Sequence, residues 1–351
     1  MNTKIIRVEE NDIDEALIRE AGDVIKAGGL VAFPTETVYG LGGDALNPES
    51  SKKIYAAKGR PSDNPLIVHI ADLGALSKIV KCIPKEAYVL AEAFWPGPLT
   101  MIFEKSDAVP FETTGGLSTV AVRMPSDKIA NAFIKAAGGY VAAPSANLSG
   151  KPSPTEDKYV IEDMDGRIDM ILCGGRSLVG LESTIVDLTE ETPVILRPGY
   201  ITEDMLSKAL GVKVLWDRAI KEPAADVAPK APGMKYRHYA PNAPLTIVEG
   251  DADKVADTIN RLGDKDITGG KKVAVIAAAE NTSKYDKRFL IKSAGSFYNE
   301  DEAARLLFAI LRELDDEDAQ VIYSEAFKET GVGCATMNRL MKAAGHHVLT
   351  V

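Results

Sequence analysis

The sequence predicts an α/β chain made of two globular domains, a mixed sheet with helices in the first and a small Rossmann-like parallel sheet in the second. Three observations predict it. Strand-like apolar runs alternate with helical patterns, a proline-rich stretch after residue 210 breaks every period, and 351 residues exceed what one apolar core fills.

In the first domain, Ile13, Ala16, Leu17, Val24 and Ile25 recur at helical spacing after Asp12, and Gly28-Gly29 supplies a C-cap. Leu30 to Phe33 follows as a buried strand. Strand-like runs recur at Leu66–Ile70, Leu99–Phe103, Val120–Arg123, Tyr140–Ala143, Met170–Leu172, Thr184–Leu188 and Val194–Arg197, with helical patterns at Ser51–Ala57, Lys85–Phe94, Lys128–Ala137 and Thr202–Leu210. Interleaving makes the domain α/β, and hairpin-length gaps between the last strands make its sheet mixed. We assign residues 1–210 to this domain.

Residues 211–244 carry Glu222-Pro223, Ala228-Pro229, Ala231-Pro232-Gly233 and Ala240-Pro241, which reads as a linker, disordered or functional. With six Lys/Arg against three Asp/Glu it is the one basic stretch of an acidic chain. From 245 to 351 strand and helix alternate: Leu245–Val248, a helix near Asp253–Leu262, Val273–Ala277, helix Glu302–Leu314, Val321–Tyr323, helix Ala335–Ala344 and Val348–Val351. Gly331-Val332-Gly333 is too short for a dinucleotide fingerprint and suits a tight loop.

Bulk properties exclude several classes. The N-terminus lacks a basic and an apolar signal region and no apolar run reaches membrane-spanning length, so the protein is expected to be cytoplasmic with no membrane partner. Cys82, Cys173 and Cys334 stand far apart, and His69, His238, His346 and His347 lack ligand spacing, so neither disulfides nor a protein-held metal is indicated. A formal charge of −10 argues against stable nucleic-acid binding.

Five segments carry chemistry. Phe33-Pro34-Thr35-Glu36-Thr37-Val38-Tyr39-Gly40-Leu41-Gly42-Gly43 is a strand entering a hydroxyl- and glycine-rich loop, placed to bind a ligand or to satisfy its own turn. Lys58-Gly59-Arg60-Pro61-Ser62-Asp63-Asn64-Pro65 sets two cations at a helix end, where they clamp a polyphosphate or complement the helix dipole. As exposed cations they are expected to contribute little to stability. Pro144-Ser145-Ala146-Asn147-Leu148-Ser149-Gly150-Lys151-Pro152-Ser153 offers neutral donors after a strand, alone only a polar turn. Glu182-Ser183-Thr184 and Arg197-Pro198-Gly199 add a hydroxyl and a cation at strand ends. No GxxxxGK[ST] occurs, which excludes a P-loop.

Taken in order, PTETVYGLG, KGRPSDNPL, STVAVRMP, PSANLSGKPSPT, ESTIVD and ILRPG closely resemble the threonylcarbamoyl-AMP synthase family in its long, two-domain form, and YRHYAP at Tyr236–Pro241 extends the likeness. The resemblance implies a YrdC-like twisted mixed sheet with a concave cavity, and an enzyme, a nucleotidyltransferase, that condenses L-threonine, bicarbonate and ATP. It implies that Lys58, Arg60, Ser145 and Asn147 line the nucleotide end, Lys58 and Arg60 being catalytic. Ser62, Thr119, Ser153, Arg197 and Tyr236 match further ATP contacts, with Mg2+ arriving with ATP. L-threonine falls to Thr35, His69, Arg123 and Ser183, Arg123 facing its carboxylate; His69 is otherwise a satisfied core histidine. The linker is implied to be a lid bearing Tyr236, or else a tether. The product would pass to a tRNA threonylcarbamoyl transferase. Shorter relatives commonly carry threonine where this chain has Ala143, which removes one hydroxyl contact. A carbamoyltransferase of the hydrogenase-maturation type shares such a domain but carries acylphosphatase and Cys-rich modules absent here. A double-stranded RNA-binding or ribosome-associated module is the remaining alternative, against which the acidic charge weighs.

Overall fold

The computed structural model describes residues 2–220 and 239–351, so the linker's Tyr236 and most of the expected lid lie outside the described residues. By contacts the chain divides into two compact units. The first is 1–149, 153–178 and 182–236, and the second takes in Gly150–Pro152, Val179–Leu181 and Arg237–Val351.

In the first unit, β1 (Lys4–Arg7) precedes α1 (Glu15–Lys26), which starts where Asp14 accepts from the amides of Ala16 and Leu17 at 2.8 and 3.3 Å. The chain then forms β2 (Val31–Phe33) and β3 (Gly40–Asp44). Thus the C-terminal part of the loop expected after Phe33 is a strand. Its glycines permit the close packing: a Cβ on Gly42 would meet Val141 at 2.8 Å, and one on Gly40 would meet Phe33 at 2.9 Å. Next comes α2 (Pro48–Lys58), capped by Asn47, opened by Pro48 and closed by Gly59 at φ 63. This ending fixes Lys58 as the last helical residue and puts Arg60 beyond it.

After β4 (Ile67–His69) come α3 (Leu76–Ile79), α4 (Lys85–Phe94), β5 (Leu99–Glu104), β6 (Thr119–Arg123), α5 (Lys128–Ala136) and β7 (Val141–Ala143). The unit finishes with α6 (Asp157–Met164), β8 (Met170–Cys173), β9 (Thr184–Asp187), β10 (Val194–Arg197), α7 (Glu203–Leu210) and β11 (Leu215–Trp216), the last lying within the stretch read as linker. The eleven strands run β1-β8-β2-β3-β7-β4-β6-β5-β9-β10-β11, with parallel and antiparallel pairs mixed as expected.

Both faces of the sheet are buried, and successive residues feed different cores. Val31, Phe33, Val141, Ala143, Met170 and Leu172 pack beneath α1 and α5, while Ala32, Ala142, Ile171 and Cys173 enter the larger core opposite. A Cβ on Gly22 of α1 would stand 2.5 Å from the Ala136 backbone, so glycine permits this helix crossing.

The second unit holds β12 (Leu245–Glu249), α8 (Ala252–Thr268), β13 (Val273–Ala277), β14 (Leu290–Ser293), α9 (Glu300–Asp316), β15 (Val321–Glu325), α10 (Gly333–Ala343) and β16 (Val348–Thr350). Its strands are all parallel in the order β14-β13-β15-β12-β16, which bears out the Rossmann-like reading and adds β14. The Gly331–Gly333 segment is a tight loop: Glu300 accepts from Thr330 Oγ1 at 2.6 Å and from the Gly333 amide at 3.0 Å.

Candidate active site

Register brings together residues implied for threonine. His69 pairs with Arg123 across β4 and β6, and Arg123 pairs with Thr100 across β6 and β5, so the three form one row across the sheet. They share a face with Ile67, Ala121 and Ile102, since residues two apart on a strand point the same way. The row continues through hydroxyls: Thr100 Oγ1 lies 2.7 Å from Ser183 Oγ, just before β9. Arg197, at the end of β10, donates Nη2 to Ser183 Oγ and Nε to Ser183 O, both at 3.1 Å.

The loop after β2 closes on the same row. Thr35 Oγ1 donates to Val38 O at 2.6 Å and lies 2.8 Å from Thr37 Oγ1, and Thr37 Oγ1 accepts from Arg123 Nη1 at 2.8 Å. Ser177 Oγ donates to Thr35 O at 2.9 Å and fixes the loop from behind. Arg123 also donates Nε to Gly97 O at 3.3 Å, and its Nη2 lies 2.7 Å from Glu36 Oε1. All four residues implied for threonine thus stand in one buried cluster around the Arg123 guanidinium, with that of Arg197 against Ser183, joined by Thr100, Glu36 and Thr37, whose part the motifs alone did not reveal.

His69 is buried and neutral. Its Nδ1 lies 3.1 Å from Ile67 O, assigning that nitrogen the proton, and Phe33 meets the ring edge-on. Burial, helped by the positive charge of Arg123, lowers its pKa to about 3. The unfolded chain takes up a proton near the ordinary value of about 6.5 and the folded chain does not, so stability is full above that pH and falls as pH drops toward 3. Asp127, the N-cap of α5, acts oppositely. Burial pushes its carboxyl up to about 6, so the folded state gains protons first as pH falls from 6. Replacing His69 with Gln is therefore expected to cost about 2 kcal/mol less at pH 5 than at pH 7 relative to the parent chain, read from denaturant midpoints. An equal cost at both pH values would mean that His69 does not remain neutral.

Among the residues implied for ATP the structure corrects one expectation. Lys58 is not an exposed cation: only 3% of it is accessible, and Nζ donates to the carbonyls of Ser145 and Asn147, both at 2.5 Å, with Asn147 Oδ1 at 3.4 Å. The Ser149 amide donates to Lys58 O at 2.9 Å, and Ser145 Oγ donates to Asn147 Oδ1 at 2.5 Å. Lys58, Ser145 and Asn147 therefore form one knot between the end of α2 and the loop after β7, because Gly59 ends the helix there. Arg60 is half-buried and donates Nη2 to the carbonyls of Asn64 and Pro65 at 3.3 and 3.2 Å. Ser153 donates to Glu182 Oε1 at 2.6 Å, and Ser62 lies exposed in the loop beyond Arg60. Thr119 begins β6 at the end opposite Arg123, four residues and so about 13 Å along the strand. A ligand touching both would need nucleotide length.

Among the described residues no three His, Cys, Asp or Glu are grouped to hold a metal ion, and no helix is long and apolar enough to cross a membrane.

Comparison with known proteins agrees with the ordered motifs. The family described as Telomere recombination (Sua5_yciO_yrdC) matches residues 23–199, and the family described as Threonylcarbamoyl-AMP synthase, C-terminal domain matches 201–345. The chain is 48% identical over 349 residues to the threonylcarbamoyl-AMP synthase of Pyrococcus abyssi, covering 99% of this chain and 100% of that one. It is 44% identical over 342 residues to that of Bacillus subtilis, with 97% and 96% covered. The crystal structure of P. abyssi Sua5 complexed with L-threonine superposes with a TM-score of 0.93 at 48% identity over 99% of this chain and 100% of the other. Matched in both parts and along almost its whole length, the chain belongs to the threonylcarbamoyl-AMP synthase family.

Proposed function

We propose that the protein is an L-threonylcarbamoyladenylate synthase that condenses L-threonine, bicarbonate and ATP with release of pyrophosphate. The observation that carries this is the buried row of His69, Arg123 and Thr100 joined to Ser183. A guanidinium among hydroxyls and one neutral imidazole suits a small hydroxylated amino acid, which agrees with the threonine named for the P. abyssi structure.

The threonine amine attacks carbon dioxide drawn from bicarbonate, and the carbamate oxygen then attacks the α-phosphorus of ATP as pyrophosphate leaves. No covalent enzyme intermediate is required. The chain's part is to hold the reactants in line and to place positive charge against phosphate oxygens, from Lys58, Arg60 and Arg197, with Ser145 and Asn147 as neutral donors. Mg2+ is expected to enter on the ATP phosphates. In this reading the adenylate passes to a cytoplasmic transferase that makes N6-threonylcarbamoyladenosine beside the tRNA anticodon. Pyrophosphate release measured with threonine and bicarbonate withheld in turn tests the reading. Release is expected only when both are present, and equal release without threonine would refute it.

A further inference from the structure

The proposed reaction needs a group to receive the threonine ammonium, and none of the residues implied by the motifs bears a negative charge. Glu36 does. Only 7% of it is exposed, yet neither carboxylate oxygen has a hydrogen-bond partner among the described residues. Arg123 Nη2, 2.7 Å from Oε1, is likewise without a hydrogen bond, so the two groups attract as ions without aligning an N–H on an oxygen. The other two Arg123 nitrogens donate elsewhere, Nη1 to Thr37 Oγ1 and Nε to Gly97 O.

A buried carboxylate ordinarily accepts two or three hydrogen bonds, and leaving that capacity unused is costly. The unused capacity here has a definite shape. Arg123 Nη2 is a cationic donor and Glu36 an anionic acceptor, buried side by side. An α-amino acid zwitterion presents the opposite pair, a carboxylate and an ammonium on one carbon. Of the other charged or titratable groups near the pair, His69 is neutral and supplies no charge, while Asp127 adds negative potential that further favours a cation beside Glu36.

We propose that Glu36 binds the α-ammonium of the amino-acid substrate and takes the proton that the amine must lose before attacking carbon dioxide; this rests on the reading above that threonine is that substrate. The ammonium gives one proton to the Glu36 carboxylate, leaving a free amine and a carboxylic acid. The nitrogen lone pair forms the bond to carbon dioxide, and a C=O electron pair moves onto oxygen. The second amine proton joins the hydroxide left when bicarbonate yields carbon dioxide, giving water. Glu36 later returns its proton to solvent. The sum is ammonium plus bicarbonate giving carbamate, water and one proton.

The test uses the full-length chain, Glu36→Gln and Glu36→Asp. Calorimetric binding is measured for L-threonine and for 2,3-dihydroxybutanoate, which has a hydroxyl in place of the amine, and pyrophosphate release gives kcat. The parent chain is expected to prefer threonine by about a hundredfold or more. Glu36→Gln is expected to bring that preference within about tenfold and to lower kcat by about a hundredfold. A Gln variant that keeps the parent preference or the parent kcat overturns the proposal, since a purely structural pair would move neither ratio selectively. Should Gln fail to fold, Glu36→Asp carries the test. Its retracted carboxylate is expected to keep the preference while lowering kcat at least about tenfold, because proton transfer is sensitive to placement, and a parent kcat would overturn the proposal. A parent chain that binds no threonine would instead refute the functional reading itself.

Discussion

Lys58→Met is expected to lower pyrophosphate release by about a hundred- to a thousandfold, the cost of removing one fixed charge from a developing anion, and to lower the melting temperature as well. The second effect follows from the knot at the end of α2. Removing the ammonium takes this donor from the Ser145 and Asn147 carbonyls, in a place largely closed to water. Stranded acceptors cost about 1–3 kcal/mol each when they find no substitute, and about 1 kcal/mol moves the midpoint of a domain this size by some 2–4 °C. Activity and thermal unfolding measured on the same sample separate the two roles. Lost turnover with an unchanged midpoint would show that Lys58 does not hold the loop, and normal turnover per folded molecule would show that it is no phosphate ligand.

Arg123→Met is expected to raise the dissociation constant for threonine by about two orders of magnitude while leaving ATP affinity nearly unchanged. It removes the guanidinium that bonds Thr37 and pairs with Glu36, four residues along β6 from Thr119. It also strands Glu36, and breaking a buried pair from one side costs about 3–5 kcal/mol. The double variant Arg123→Met, Glu36→Gln is therefore expected to recover much of that stability without recovering threonine binding, a non-additivity expected of partners in contact. Calorimetry with threonine and ATP and denaturant titration on the three variants check this. If ATP binding weakens as much as threonine binding, the two ends of the site are not separate.

Much of the fold is legible in the sequence because strands buried on both faces read as apolar runs, as β5, β6 and β13 do. The elements that escape that reading lack the signal. β1 buries one residue of four, and the five residues of β3 include three glycines, poor strand formers whose use appears only when Phe33 and Val141 are seen pressed against them. β14 has no fully buried residue.

The site divides similarly. Ordered motifs name Thr35, His69, Arg123 and Ser183, but a motif carries no register: pairing of β4, β6 and β5 sets His69 beside Arg123 and brings in Thr100, through which Ser183 joins, while Thr37 joins Thr35. The burial of Lys58 was not legible either. A lysine at a helix end is ordinarily solvated, and what overrides that here is a loop some ninety residues away that folds its carbonyls onto the ammonium. Glu36 read as one polar residue of a loop, since its empty hydrogen-bonding capacity exists only beside Arg123.

The central claim is tested most directly by looking for the product. The full-length chain is incubated with ATP, Mg2+, bicarbonate and L-threonine, and the mixture is analysed by mass spectrometry, with 13C-bicarbonate in a parallel sample. The account predicts threonylcarbamoyl-AMP, heavier by one mass unit in the labelled sample and absent when threonine is left out; ATP consumed to AMP and pyrophosphate with no such adduct in either sample would contradict it.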